Sequence, residues 1–253
     1  MKSIAIFLTL ALLFSSCSGI DDRAPANIFD KDDRLKISKD LYPGVGRLMK
    51  NPQHQYSWGT AFHLSPCYVA SAYHVVKDTN SEITKEDQVY FISSLKEKPI
   101  MATPVAWGTP YLGELNDNDW VILKLDECLE VEPSEIFSLK NYRSIDDLRG
   151  ISVELVGFPE DRVPDNIHLD KSCKFGDEEP EAGDGIGHNC ATRPGNSGSP
   201  IYVVNSQGLK EVYAITVASR GYFVEIIAGY SPWISNTATP VAPVREAFKR
   251  LNR

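Results

Sequence analysis

The chain has 253 residues, 42% of them hydrophobic and 24% charged, too apolar for a disordered chain and long enough for one large domain or two lobes sharing an interface. Its formal charge of −8, with no basic stripe, excludes general nucleic-acid binding, which needs clustered Lys and Arg. The acidity does not extend to the substrate, because a local pocket can oppose the net charge.

Met1-Lys2 is a short positive start, and Ile4 to Phe14 is an apolar run too short to span a bilayer as a permanent helix. Residues 1–16 therefore read as a signal peptide. Ser15-Ser16-Cys17 after that run resembles the bacterial lipoprotein signal, in which the cysteine becomes the lipid-bearing N-terminus. An ordinary secretory signal with an incidental cysteine is the alternative, and both imply export, to a lipid-anchored place in the bacterial cell envelope or to the medium. Residues 17–41 are polar, with Asp21, Asp22, Asp30, Asp32, Asp33 and several Lys, and read as a tether to the folded part.

From Tyr42 onward, short apolar runs alternate with turn residues. The expected strands are Gly46–Met49, Trp58–Leu64, Tyr68–Ser71, Val89–Ser93, Met101–Trp107, Trp120–Leu125, Ser152–Gly157, Pro200–Val204, Glu211–Ala218 and Tyr222–Ala228. Many short strands at this spacing predict an all-β sandwich or barrel pair. Two helices are expected, a short one at Ser144–Leu148 and an amphipathic one at Pro243–Leu251, with Pro at its start and Lys249 and Arg250 in its last turn. The polar stretch Glu130–Arg149 reads as a link between two lobes.

Three runs carry chemistry. Gly195-Asn196-Ser197-Gly198-Ser199-Pro200 places a serine between glycines, and Gly195 lets the backbone turn so that the N–H groups of Gly195 and Ser197 face one pocket. Two such donors stabilise a tetrahedral oxyanion, each by on the order of 3 kcal/mol. The same run also suits a plain surface turn; the apolar strand after it favours a buried, fixed one. A serine hydroxyl needs a base, an orienter for that base, and oxyanion donors. Of the five histidines, His54 and His168 fall in polar loops, His63 inside a strand and His188 in a glycine-rich loop; only His74 ends a strand of small residues. Asp119 stands at the mouth of the apolar strand Trp120–Leu125, placed to accept a histidine N–H or to cap the strand, with Asp117 as the competing acid two residues away.

Together these runs resemble the trypsin-like, chymotrypsin-fold serine peptidases, closest to the bacterial branch that includes the glutamyl endopeptidases. The resemblance covers about residues 42–252 and follows the order His, Asp, Ser, which separates this fold from subtilisins and α/β-hydrolases. It implies two antiparallel six-stranded β-barrels, about 42–135 and about 150–240, with a C-terminal helix over 243–251. It assigns His74 as general base, Asp119 as its orienter, Ser197 as nucleophile, and Gly195 and Ser197 as oxyanion donors. Tyr73 and Ser71 depart from a common alanine and threonine without touching these positions.

Four cysteines lie in the exported part, an even count that favours disulfides over four reduced, buried thiols. In the two-barrel picture, Cys67 and Cys128 lie roughly 23 and 30 Å back along antiparallel strands from His74 and Asp119, close enough to bond. Cys173–Cys190 would then close the loop ahead of the nucleophile. That loop carries Asp177, Glu178, Glu179, Glu181 and Asp184, a solvated acidic loop or a calcium site, although its spacing fits no EF-hand.

In many family members an Asp before the nucleophile pairs with a freed N-terminal amine; here Asn196 is neutral, so activity is expected without N-terminal insertion. Glutamyl-specific relatives place a Thr five residues before the nucleophile, matched by Thr192, and a His on a later strand, where Thr216 stands. Ala191 occupies the place of a trypsin-like acid, so the pocket is expected to take a neutral side chain, unless Arg193 supplies charge. The expectation is an endopeptidase with a protein or peptide substrate, monomeric, with no cofactor or metal. A catalytically silent binding or scaffold lipoprotein, or an esterase using the same triad, are the competing readings.

Overall fold

The apolar alternation in the first half becomes β1 (Leu35–Ile37), β2 (Val45–Met49), β3 (Gly59–Ser65), β4 (Tyr68–Ser71), α1 (Tyr73–Val76), β5 (Val89–Ser93), β6 (Ile100–Trp107) and β7 (Val121–Leu125). The structure, a computed structural model, describes residues 27–53, 59–78, 80–94, 96, 98–109, 118–161, 166–177, 185–220 and 235–253. Strands β2 to β7 close into an antiparallel barrel in the order β2-β3-β4-β7-β6-β5. The two-residue period of a strand divides its side chains between two cores. Ala61, Val69, Val121 and Leu123 fill the barrel with Leu48 and Phe91. Their neighbours Phe62, Ala70 and Ile122 face the other way and pack with Val156, Tyr202 and Ile215 of the second half. Strand β3 is therefore buried on both faces, as a strand between two lobes must be.

The second half contains β8 (Ser138–Leu139), β9 (Ser152–Gly157), β10 (Ile167–Lys174), β11 (Ile186–His188), β12 (Pro200–Val204), β13 (Lys210–Arg220), β14 (Ser235–Pro240) and α2 (Ala242–Leu251). Its sheet runs β1-β10-β9-β12-β13-β14-β11, with β8 added in parallel to β13. A single antiparallel bridge, Phe175 to His188, joins the end of β10 to β11 and brings six strands into a ring. The fold is thus all-β, two antiparallel barrels with one longer helix at the C-terminus. Helix α2 turns Phe248 onto Tyr68 of the first barrel, ring centroids 5.8 Å apart. Cys67 is bonded to Cys128, and Cys173 to Cys190.

Several expectations need correction. Residues 27–41 are not a free tether. Ile28 and Phe29 are buried, β1 pairs with β10 at Leu35–Leu169, and Arg34 is buried between Asp32 and Asp161. Of its charges, Arg34 is taken into the fold by Asp32 and Asp161, while Asp30, Lys31, Lys36 and Asp40 stay exposed as their composition implies. His168 and His188 lie in strands, not loops. Strand β10 escaped notice because a bulge between Asp170 and Cys173 exposes Lys171 and Ser172 and breaks its alternation. Strand β14 escaped because its residues, Ser-Asn-Thr-Ala-Thr-Pro, are small or polar yet wholly buried. The short helix expected at Ser144–Leu148 is present as a 3₁₀ helix, Ile145–Leu148, capped by Ser144. The expected strand Tyr222–Ala228, His54, Trp58, Asp117, residues Glu178–Asp184, the signal peptide and Cys17 lie outside the described residues.

Candidate active site

The antiparallel pairing of β4 with β7 ends at Ser71–Val121. The residues just past that point on the two strands, His74 and Asp119, therefore emerge side by side at one barrel edge. Asp119, wholly buried, accepts the backbone N–H of His74 on Oδ1 at 3.0 Å and lies with Oδ2 2.7 Å from His74 Nδ1. The pair holds the ring with its proton on Nδ1, which leaves Nε2 as the acceptor. Nε2 is buried and has no hydrogen-bond partner among the described residues.

The turn before β12 is built on positive φ, +93° at Gly195 and +88° at Gly198, a region that favours glycine. Four consecutive carbonyls of this turn are each tied down. Pro194 O accepts Glu160 N–H at 2.8 Å, and Gly195 O accepts Thr60 Oγ1–H at 2.9 Å. Asn196 O accepts Ser199 N–H at 2.9 Å, and Ser197 O accepts Thr60 N–H at 2.8 Å. Of the turn's N–H groups, Asn196 donates to Arg193 O and Gly198 to Thr216 O. The N–H groups of Gly195 and Ser197 are left without partners among the described residues. A trans peptide points its N–H opposite to its carbonyl, so anchoring Pro194 O and Asn196 O fixes the direction of both remaining donors.

The turn packs against the segment that carries the histidine: a Cβ on Gly198 would come within 3.0 Å of Ala72 N. A Cβ on Gly59 would come within 2.6 Å of Val75 in α1 and 2.9 Å of Ser197 O, so Gly59 is where the two halves of the site meet. Ser197 Oγ points to Val217 O at 3.4 Å, a long contact for a hydroxyl, and not to His74 Nε2. The structure thus joins His74 to Asp119 by hydrogen bonds and sets Ser197 beside them without one.

Thr192 and Thr216, expected near the substrate side chain, are both buried with hydroxyls that find no partner among the described residues. Thr192 N–H donates to Asn27 O, which brings the N-terminal segment against this side of the site. Ala191 N–H donates to Asp170 Oδ2 at 2.7 Å, and Arg193 Nε lies 3.7 Å from Asp161. An acid therefore does stand beside Ala191, supplied by β10 and engaged with backbone. Thr60, Asn27, Glu160 and Asp170 were not singled out from the sequence; a threonine in a strand or an aspartate in a polar stretch carries no local signal of its place.

Among the described residues no group of three or more His, Cys, Asp or Glu is placed to hold a metal ion. His63 and His188 are wholly buried. Burial lowers the pKa of both, that of His188 to about 3, so each is neutral at pH 7.

Residues 59–213 match the family described as trypsin-like peptidase domain. No curated protein matches the sequence. Among solved structures, the chain is similar to a human protein described as heparin binding protein, with 14% identity and a TM-score of 0.61 over 87% of this chain and 96% of that one. At that identity the likeness bears on the fold alone.

Proposed function

We propose, since this chain belongs to the trypsin-like peptidase family, that it is an exported serine endopeptidase working through His74, Asp119 and Ser197. The reading rests on one observation above all: among the described residues, the two N–H groups left unengaged in the turn are those of Gly195 and Ser197, the pair needed for an oxyanion. Ser197 Oγ attacks the scissile carbonyl while His74 Nε2 takes its proton. The tetrahedral oxyanion is held by the two N–H groups. Collapse to the acyl-enzyme expels the amine, which receives the proton from His74. Water, deprotonated by the same nitrogen, then releases the acid. Asp119 stabilises the imidazolium formed in each step.

The substrate is a protein or peptide with a neutral side chain before the scissile bond, bounded by Thr192 and Thr216; Arg193 is drawn toward Asp161 rather than left to bind an acid. Activity needs no freed N-terminus, because Asn196 cannot form the ion pair that such a terminus would make. Lipid on Cys17 would tether the enzyme to the cell envelope. A silent binding protein is the second reading, and the direction of Ser197 Oγ toward Val217 O is what favours it.

A fluorophosphonate probe separates the two. Labelling of the wild type, its loss in Ser197→Ala, and cleavage of a fluorogenic peptide library are expected. A folded wild type that neither labels nor cleaves supports the binding protein, and labelling with ester but not peptide turnover supports an esterase. Preference for Lys or Arg before the cleaved bond would overturn the neutral pocket.

A further inference from the structure

Thr60 lies 135 residues from the nucleophile turn and on the other barrel, yet it reaches that turn through two donors. Its backbone N–H bonds Ser197 O, as any residue at that register would. Its hydroxyl does something side-chain specific: Oγ1 donates to Gly195 O at 2.9 Å and accepts from Phe158 N–H at 3.0 Å. A threonine hydroxyl has one proton to give, and both bonds are satisfied at once. The side chain is wholly buried, so no water competes for either contact.

We infer that Thr60 is a positioning residue for the oxyanion donors, holding the Gly195 N–H in its productive direction from the first barrel. The inference rests on the serine-peptidase reading and assigns it a further part. Glycine at φ +93° has little intrinsic preference for one peptide orientation over its flip, so something outside the turn must choose. Two peptides meet at Gly195. The one after it is anchored at its oxygen by Thr60 Oγ1 and at its N–H by Arg193 O. The one before it carries the Gly195 N–H itself, and its oxygen is held by Glu160 N–H. Glu160 follows Phe158, the residue whose N–H Thr60 receives. One hydroxyl therefore braces one of these peptides directly and the other through the Phe158–Glu160 loop. Without it, Phe158 N–H and Gly195 O become unsatisfied in a buried place, and a rotated peptide that regains a partner competes with the productive one.

The test compares Thr60→Val, Thr60→Ala and Thr60→Ser in peptide hydrolysis. Loss of the hydroxyl is expected to lower kcat about 10–100-fold with KM within twofold, less than the ~10²–10³ for deleting an oxyanion donor outright. Thr60→Ser is expected to stay within about threefold of the wild type. Should Thr60→Val not fold, the kcat ratio of Thr60→Ser to Thr60→Ala isolates the hydroxyl, and equal values within twofold overturn the inference. A crystal structure of Thr60→Ala reads the same point without turnover. A rotated Pro194–Gly195 peptide, the one that carries the Gly195 N–H, is expected, and an unchanged one overturns the assignment. Failure of the peptidase reading is recognised separately, by a wild type that neither labels nor cleaves while the Thr60→Ala peptide still rotates.

Discussion

Asp119 accepts two hydrogen bonds from one residue, the backbone N–H of His74 at 3.0 Å and its ring Nδ1 at 2.7 Å. The first fixes where the histidine stands and the second which nitrogen carries its proton. In Asp119→Asn the amide oxygen can keep the backbone bond, but the NH₂ then faces Nδ1 and forces the proton to Nε2. A kcat lower by about 10⁴-fold is expected, with little change in thermal stability. Steady-state kinetics beside a melting curve checks this, and a loss under tenfold would remove His74 from the role of base.

Arg34 sits with its side chain 1% exposed between Asp32 and Asp161, which are 22% and 34% exposed. Burial would lower its pKa, but the two carboxylates outweigh that and raise it, so the guanidinium stays charged. Arg34→Met strands two acids that water can partly reach. A cost on the order of 2–3 kcal/mol is expected, below the ~3–5 of a wholly buried pair. Urea unfolding of both proteins measures it. An unchanged midpoint would mean that residues 27–37 do not belong to the cooperative unit.

His188 makes the fold sensitive to acid. Its pKa is about 3 in the folded chain against an ordinary 6.5, so below 6.5 the unfolded chain takes up a proton that the native state refuses. Its contribution is constant above pH 6.5 and falls by about 1.4 kcal/mol per unit down to about 3. Burial of His63 acts in the same direction. Between pH 7 and 4.5 the wild type is expected to lose about 2–3 kcal/mol more than His188→Gln does. Parallel curves for the two proteins would refute it.

The two disulfides close loops of different size. Cys67–Cys128 spans 61 residues and Cys173–Cys190 spans 17. Chain entropy alone predicts losses of about 4 and about 3 kcal/mol when each is replaced by a pair of alanines. Denaturant midpoints of the two double variants are expected in that order. A larger loss for the second pair would show that closing the ring at Phe175–His188 depends on that bond more than loop length implies.

Most strands of the first barrel were legible because they follow a local rule: β4 and β5 are short, largely apolar runs, and β6 alternates between buried and half-buried residues along most of its length. The positions of the proposed triad were legible for a similar reason, since strand ends and a Gly-x-Ser-Gly turn are marked by their immediate neighbours. Strands β10 and β14 were not, because a bulge and a run of small polar residues hide burial from any pattern of hydrophobicity.

By itself, then, the sequence determined the all-β class, the order His74, Asp119, Ser197 and the cysteines available to pair. Each depends on residue type and spacing along the chain. Only the tertiary structure decided that residues 27–41 belong to the fold, that Asp170 stands beside Ala191, and that Thr60 holds the turn at Gly195. These are contacts between groups distant in the chain, and their donors and acceptors look ordinary until folding within the second barrel, or for Thr60 between the two barrels, brings them within 3 Å.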